Sequence, residues 1–209
     1  MRKRSYETKG MILAAARRLF FDMGYRDSSV DKIAIAAHTT KKTLYGYFAN
    51  KSAILSEVIN ESIGVPWVFE NPIEDMKTPE DLYRILVIIA RGLNNVYSNP
   101  DYVAILRILI SEVSLQPELT SLMSNGISKR AYDLLAPILI EAKDKKIIPI
   151  VNPEQRARSF VGGMLYDFYV DGLLMTYPGK VRRYTDLELF EYVSTCMPIL
   201  VQRIVEKRL

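Results

Sequence analysis

The stretch Ser29-Val-Asp-Lys-Ile-Ala-Ile-Ala-Ala-His-Thr-Thr-Lys-Lys-Thr-Leu-Tyr-Gly-Tyr-Phe-Ala-Asn-Lys51 carries the clearest structural signal in this chain of 209 residues. Small and apolar residues recur at helical spacing on both sides of a short break at His38. Ser29 and Thr40 are suited to cap the two helices, and Asn50 the next one, because their side-chain oxygens accept hydrogen bonds from free amides at a helix start. The pattern predicts a helix-turn-helix over about residues 29–48.

A helix-turn-helix makes particular demands on its residues, and this stretch meets them. Two helices that cross steeply need small side chains where their backbones approach, and Ala34 and Ala37 are small. The second helix presents polar and basic side chains at its N-terminal end, where it meets base edges and phosphates. Leu44 and Phe48, four residues apart, can hold that helix on a core. Four residues provide the polar end: Thr40, Lys41, Lys42 and Thr43.

The charge of the chain is divided unevenly. Residues 1–51 hold 11 Lys and Arg against 4 Asp and Glu, whereas the whole chain has a net charge of +4. A basic head on a slightly acidic body is typical of a phosphate-binding module joined to a neutral domain. Chance clustering could produce the same distribution of charge. The prediction of nucleic-acid binding therefore depends on the helix-turn-helix motif.

The rest of the chain is predicted to be helical as well. Apolar residues recur at helical spacing in block after block, which predicts an all-α protein of about nine helices. We expect a kink at Pro137 inside one helix, and a single last helix over residues 187–205 that contains Pro198. No run approaches the ~18 apolar residues of a membrane span, so we expect a soluble, cytoplasmic protein.

Enzymatic function finds no support in the sequence. One histidine and one cysteine are too few for a common zinc site. No nucleophile elbow, phosphate loop or dinucleotide fingerprint is present. We therefore predict no catalytic residue, no metal and no cofactor. A helical adaptor that has lost DNA binding is the main rival class, but an adaptor has no need for Thr-Lys-Lys-Thr at a helix start. A membrane-surface protein would need a basic amphipathic helix with bulky apolar anchors.

The N-terminal segment resembles the DNA-binding domain of the tetracycline-repressor (TetR) family. That family begins with a helix ending Ala-x-x-Leu-Phe, continues through Gly-Tyr, a Ser/Thr-Val turn and an Ile-Ala helix, and closes with Tyr-x-Tyr/His-Phe-x-x-Lys. The residues of this chain that match, in order, are Ala16, Leu19, Phe20, Gly24, Tyr25, Ser28, Ser29, Val30, Ile33, Ala34, Thr43, Leu44, Tyr45, Tyr47, Phe48 and Lys51.

The chain departs from the family pattern in the turn and in the recognition helix. The family has Gly followed by Val or Ile where this chain has His38 and Thr39. That Gly relieves the strain of a positive φ angle, a region that histidine tolerates at some cost. The family's common Gly after the lysine of the recognition helix is Lys42 here, which adds a charge.

The resemblance implies roles for named residues. The N-terminal end of the recognition helix would face the major groove, and the tyrosines, Lys51 and the two serines would meet phosphates. The implied domains are a DNA-binding domain over 1–51, a shared connecting helix over 52–62 and a ligand-binding and dimerisation domain over 63–209. The implied DNA-binding residues are Ser28, Ser29, Thr40, Lys41, Lys42, Thr43, Tyr45, Tyr47 and Lys51.

The C-terminal region resembles TetR-family effector domains more loosely, with Arg107–Glu112 and Gln116–Leu119 similar to AefR-like regulators. In the family, the last two helices form a four-helix bundle with a second subunit, and Gly162-Gly163 would permit close helix approach. The implied function is a ligand-responsive repressor that binds a palindromic double-stranded operator as a homodimer and responds to a small apolar or aromatic effector. The predicted pocket residues are Trp67, Tyr132 and Tyr166, and the predicted interface residues are Phe160, Met164, Phe168, Val193, Met197 and Leu200.

Overall fold

The computed structural model describes residues 2–62, 74, 76–114, 119, 126–170 and 183–206. These residues contain ten α-helices and no β-strand, which confirms the all-α prediction. In chain order the helices are α1 (Arg2–Asp27), α2 (Val30–Ala36), α3 (Lys41–Tyr47), α4 (Lys51–Ser62), α5 (Pro79–Tyr97), α6 (Pro100–Glu112), α7 (Ile127–Asp144), α8 (Pro153–Phe168), α9 (Asp186–Cys196) and α10 (Pro198–Glu206).

The three predicted N-caps are confirmed. The Ser29 hydroxyl accepts a hydrogen bond from the Lys32 amide at 3.2 Å. Thr40 accepts one from the Thr43 amide at 3.1 Å. The Asn50 side chain accepts one from the amide of Ala53 at 2.8 Å. Each bond satisfies an amide that the first turn of a helix leaves without a backbone partner.

The end of the chain differs from the expected single helix over residues 187–205. The structure divides this segment into α9 and α10, with Met197 between them in a non-helical conformation (φ −132°, ψ 58°). The reason is Pro198, which has no N–H to donate to a carbonyl four residues earlier and whose ring crowds that turn.

The chain forms two compact units. The first comprises residues 1–64 and 101–124, and the second comprises residues 65–100 and 125–209. The expected division placed all of residues 63–209 in one domain, whereas α6 belongs with the N-terminal helices. Its Ile105, Ile108 and Leu109 are buried in the same hydrophobic cluster as α1, α2, α3 and α4. An ion pair between Arg17 and Asp101 joins α1 to α6 within this unit.

The second unit is organised around α5, which packs against α8, α9 and α10. The buried Asn94 side chain of α5 pairs with the backbone of Tyr184: its amide donates to the Tyr184 carbonyl at 3.0 Å and its oxygen accepts from the Tyr184 amide at 2.9 Å. Arg91 adds an ion pair to Asp186 at 3.1 Å. These contacts fix the start of α9 against α5.

The Tyr192 side chain of α9 reaches the backbone of α8 at Gly163. The Tyr192 hydroxyl of α9 donates to the Phe160 carbonyl and accepts from the Met164 amide at 2.9 Å. In a regular helix that amide would bond that carbonyl, so the hydroxyl bridges two groups of the α8 backbone. A Cβ atom at Gly163 would lie 2.9 Å from the hydroxyl, whereas one at Gly162 would meet nothing within 4 Å. Gly163 thus makes room for a tyrosine of the same chain, and the close approach of helices from two subunits at Gly162-Gly163 stays a prediction.

Replacing the two glycines separately should give opposite results. We expect Gly163→Ala to lower the free energy of unfolding by about 1–3 kcal/mol, because the new methyl group displaces the Tyr192 hydroxyl. Gly162→Ala should be neutral or raise it by up to about 1 kcal/mol, since alanine favours helix. Urea denaturation measures both, and Tyr192→Phe should suppress the loss in the double variant. Equal effects at the two positions would contradict the geometry.

Candidate nucleic-acid interface

The helix-turn-helix rests on a continuous apolar core. Ile33 and Ala34 on α2 are buried, as is Ala37 directly after it. Leu44 on α3 and Phe48 just after it are also buried, on the side of α3 that faces the cluster. Because they lie four residues apart, they share one face of the helix. The opposite side of α3 is therefore left to solvent.

The turn between α2 and α3 contains a left-handed residue. His38 has φ 50°. Its amide donates to the Ile35 carbonyl at 3.0 Å, and the Thr39 amide donates to the Ala34 carbonyl at 2.9 Å. This pair of bonds is the Schellman arrangement, in which a left-handed residue satisfies the last carbonyls of a helix. The positive φ angle expected where the family has glycine is confirmed at His38.

The N-terminal end of α3 presents short polar side chains to solvent. The hydroxyls of Thr40 and Thr43 lie 2.9 Å apart and are both exposed. Tyr45 is 47% exposed one turn further, whereas Tyr47 is half-buried against the core. Two threonine hydroxyls and one phenol can therefore reach base edges or phosphate oxygens without any change of fold.

The two lysines of α3 differ in their partners. The Lys41 ammonium lies 3.0 Å from the Asp31 carboxylate on α2. That hydrogen bond and the carboxylate charge raise the pKa of Lys41. Lys42 is exposed and has no ion pair among the described residues. Of the two lysines on α3, Lys42 is therefore the one whose ammonium has no carboxylate partner in that part of the chain and can bind a phosphate.

The two serines before α2 have opposite orientations. Ser28 is fully buried, and its hydroxyl donates to the Gly24 carbonyl at 2.7 Å. Gly24 has φ 81° and interrupts α1, which leaves that carbonyl without its helical partner. Ser29 is exposed at the start of α2. Of the pair, only Ser29 is placed to meet a phosphate, and the Ser28 hydroxyl is occupied inside the fold.

Lys51 is half-buried and links the start of α4 to the end of α1. Its ammonium donates to the Tyr25 carbonyl at 2.8 Å and lies 4.1 Å from the centre of the Tyr25 ring. Burial lowers the pKa of Lys51, while the charges of Glu112 and Asp27 oppose that shift. A lysine with these contacts secures the end of α1 to the start of α4. The resemblance implies a phosphate contact for Lys51. The sequence alone does not reveal that its ammonium contacts the carbonyl and the ring of Tyr25.

Comparison with known proteins agrees with this geometry. A model of bacterial regulatory proteins of the tetR family matches residues 12–58, the span that holds the helix-turn-helix and its supporting helices. Residues 12–58 are therefore a TetR-family DNA-binding domain. A protein with this domain is a DNA-binding transcriptional regulator, and regulators of the tetR family are not enzymes.

Three regulators are similar to most of the length of this chain. It is 23% identical over 161 residues to the HTH-type transcriptional regulator YvaF of Bacillus subtilis (strain 168), covering 75% of this chain and 80% of that protein. Its fold is similar to a TetR transcriptional regulator from Agrobacterium tumefaciens, with TM-score 0.75 and 19% identity over 94% and 98% of the two chains. AibR, solved with isovaleryl coenzyme A and operator DNA, has TM-score 0.57 and 24% identity over 92% and 99%.

Two of the three residues predicted for a pocket lie in the described part of the chain. Tyr132 is half-buried, with the Arg158 guanidinium 5.2 Å from its ring centre. Tyr166 is 67% exposed, so its ring is not the wall of an enclosed cavity in a single chain. Trp67 lies outside the described residues.

The residues predicted for the dimer interface are all buried within one chain. They pack in the core of the second unit, on the inner faces of α8, α9 and the start of α10. Helical periodicity identifies an apolar face but not the partner that covers it, and here the covering helices come from the same chain. The six residues are Phe160, Met164, Phe168, Val193, Met197 and Leu200.

Membrane-spanning helices and metal clusters are both absent from the described part of the chain. There, no helix is long and apolar enough to cross a membrane. No group of three or more His, Cys, Asp or Glu side chains in that part is arranged to hold a metal ion.

Replacing His38 should expose the strain of the turn. We expect His38→Gly to raise the free energy of unfolding by roughly 0.5–1 kcal/mol, because glycine adopts the left-handed conformation freely and this gain exceeds its extra chain entropy. His38→Ala is the control, since it also removes the imidazole but keeps the Cβ atom. Urea denaturation of the three proteins measures the difference. A glycine variant no more stable than the alanine variant would contradict this explanation.

Proposed function

We propose that this TetR-family regulator is a repressor that binds a palindromic operator as a homodimer and is released or retuned by a small apolar or aromatic effector. The observation that carries the proposal is the exposed N-terminal end of α3, where Thr40, Lys42 and Thr43 stand on a buried core. Short polar side chains beside one unpaired cation suit the major groove, where hydroxyls reach base edges and the ammonium meets a phosphate.

We assign the DNA contacts of the exposed residues from the chemistry of their side chains. Thr40, Thr43 and Lys42 face the bases or nearby phosphates, and Tyr45 reaches the backbone. Lys41 exchanges its Asp31 partner for a phosphate only at the cost of that ion pair, so its contribution is smaller than that of Lys42. Ser29 meets a phosphate at the start of α2. The basic surplus of residues 1–51 supplies the long-range attraction.

A dimer requires an apolar surface that one chain leaves uncovered. Since the six predicted interface residues are buried, we assign this role to neighbouring exposed side chains of the same helices: Tyr166, Leu187 and Phe190, which are 67%, 67% and 51% exposed. Two copies related by a two-fold axis would place their α3 helices in successive major grooves about 34–36 Å apart, or a modest multiple of that spacing.

The effector response is proposed on the second unit. AibR shows that one protein of this fold holds both isovaleryl coenzyme A and operator DNA. Trp67 and Tyr132 remain our proposed aromatic contacts for an effector in this chain, whereas the exposed Tyr166 is assigned to the interface between two copies. Such a ligand shifts the DNA-binding equilibrium only by its difference in affinity for the two states of the dimer.

Specific DNA binding is tested with DNA from directly upstream of the protein's own gene. Fluorescence anisotropy should show a preference of roughly 10³-fold or more over a scrambled duplex, with two protomers bound per palindrome. The affinity should fall steeply with salt, because phosphate contacts release counterions. If this DNA is not preferred, selection from a random duplex library locates the operator. A folded dimer that enriches no sequence from the library would contradict the proposal.

A further inference from the structure

A groove of about 340 Å³ opens on the second unit, at the start of α8 and beside the break between α9 and α10. We call it the Arg156 groove. Its floor consists of four buried apolar side chains: Ile148, Ile150, Met197 and Leu200. A concave site of this volume with mainly apolar walls is typical of small-molecule pockets.

One wall of the groove is polar. Asn152, Gln155, Arg156 and Ser159 line it. Their spacing of three, four and seven residues places them on a single face of the first two turns of α8. The groove therefore has an apolar floor along which a hydrocarbon chain can lie, and hydrogen-bonding groups along one side.

The exposed Arg156 side chain makes one hydrogen bond to the backbone at the break in the last helices. Because Pro198 has no N–H, the chain leaves the helical path at Met197, directly after the last residue of α9, Cys196. Arg156 donates from Nη1 to the Cys196 carbonyl at 3.3 Å. A guanidinium carries five N–H donors, so this bond positions the group and leaves donors for a ligand.

No acidic side chain that the structure describes lines the groove to neutralise the positive charge of Arg156. Of the described residues that line it, Arg156 alone is charged, and none is a carboxylate. In the described part of the chain Arg156 has no ion pair, and its hydrogen bond goes to a neutral carbonyl. A guanidinium in this state favours a carboxylate, which it can bind through two parallel hydrogen bonds.

We propose that the Arg156 groove binds a small monocarboxylate with an aliphatic chain, the carboxylate at Arg156 and the chain over Ile148, Ile150 and Leu200. This site goes beyond the proposed function, because none of the aromatic residues proposed above as effector contacts lines the groove. Any regulatory effect of the ligand would still rest on the proposed DNA binding. Occupancy of the groove itself does not depend on DNA. The two are therefore measured separately.

The test uses the full chain and sodium octanoate as the probe, with binding followed by isothermal titration calorimetry. We expect one site per protomer with a dissociation constant of roughly 0.1–1 mM, as suits about ten non-hydrogen atoms. Octanol, which lacks the charge, should bind at least about 10-fold more weakly. Arg156→Gln should weaken octanoate binding by a similar factor, whereas Arg203→Gln, an exposed arginine of α10 outside the groove, should not.

A second variant keeps the test decisive if Arg156→Gln fails to fold. Ser159→Phe changes an exposed residue of the polar wall and should block the groove, while circular dichroism and operator binding stay unchanged. Equal octanoate binding by all variants would overturn the assignment, as would no binding by a folded wild-type protein. A third result would also overturn the assignment: if Ser159→Phe loses the dimer and the wild-type protein binds no octanoate, a second copy of the chain covers the groove. None of these results alters the operator test.

Discussion

The break in α1 at Gly24 is the constraint on which the head of the protein depends. The positive φ of this glycine ends the regular helix and frees backbone carbonyls, and buried carbonyls need partners. The Ser28 hydroxyl takes the Gly24 carbonyl, and the Lys51 ammonium takes that of Tyr25. Since Lys51 begins α4, its bond ties the end of α1 to α4, whereas the Ser28 bond holds the segment that leads from Gly24 into α2.

This arrangement decides which polar residues are available for DNA. The side chains of Ser28 and Lys51 are bonded to backbone carbonyls of the head, so we expect the phosphate contacts to come from Ser29 and the exposed end of α3. Leu44 and the residue after α3, Phe48, hold that helix on the core, which leaves Thr40 and Lys42 in solvent. The stability of the fold and the chemistry of recognition thus depend on different side chains of the same short segment.

Local features of the structure could be predicted from the sequence, because they depend on residues a few positions apart. The caps at Ser29 and Thr40 and the left-handed turn at His38 are of this kind. Long-range pairing could not be predicted. Periodicity does not say that α6 joins the N-terminal core, nor which apolar faces of α8 and α9 are covered within one chain. It also gives no sign that Lys51 lies over the Tyr25 ring.

We infer that the intramolecular contacts of each lysine, more than its residue type, determine which lysine of the head binds DNA. The most direct measurement compares the salt dependence of operator affinity for wild type, Lys42→Met and Lys51→Met. We predict that Lys42→Met flattens the slope of log K against log salt by about 0.9 for each phosphate that the variant no longer neutralises. Lys51→Met should keep the slope and lower only the stability. A slope unchanged in Lys42→Met and flattened in Lys51→Met would contradict this assignment.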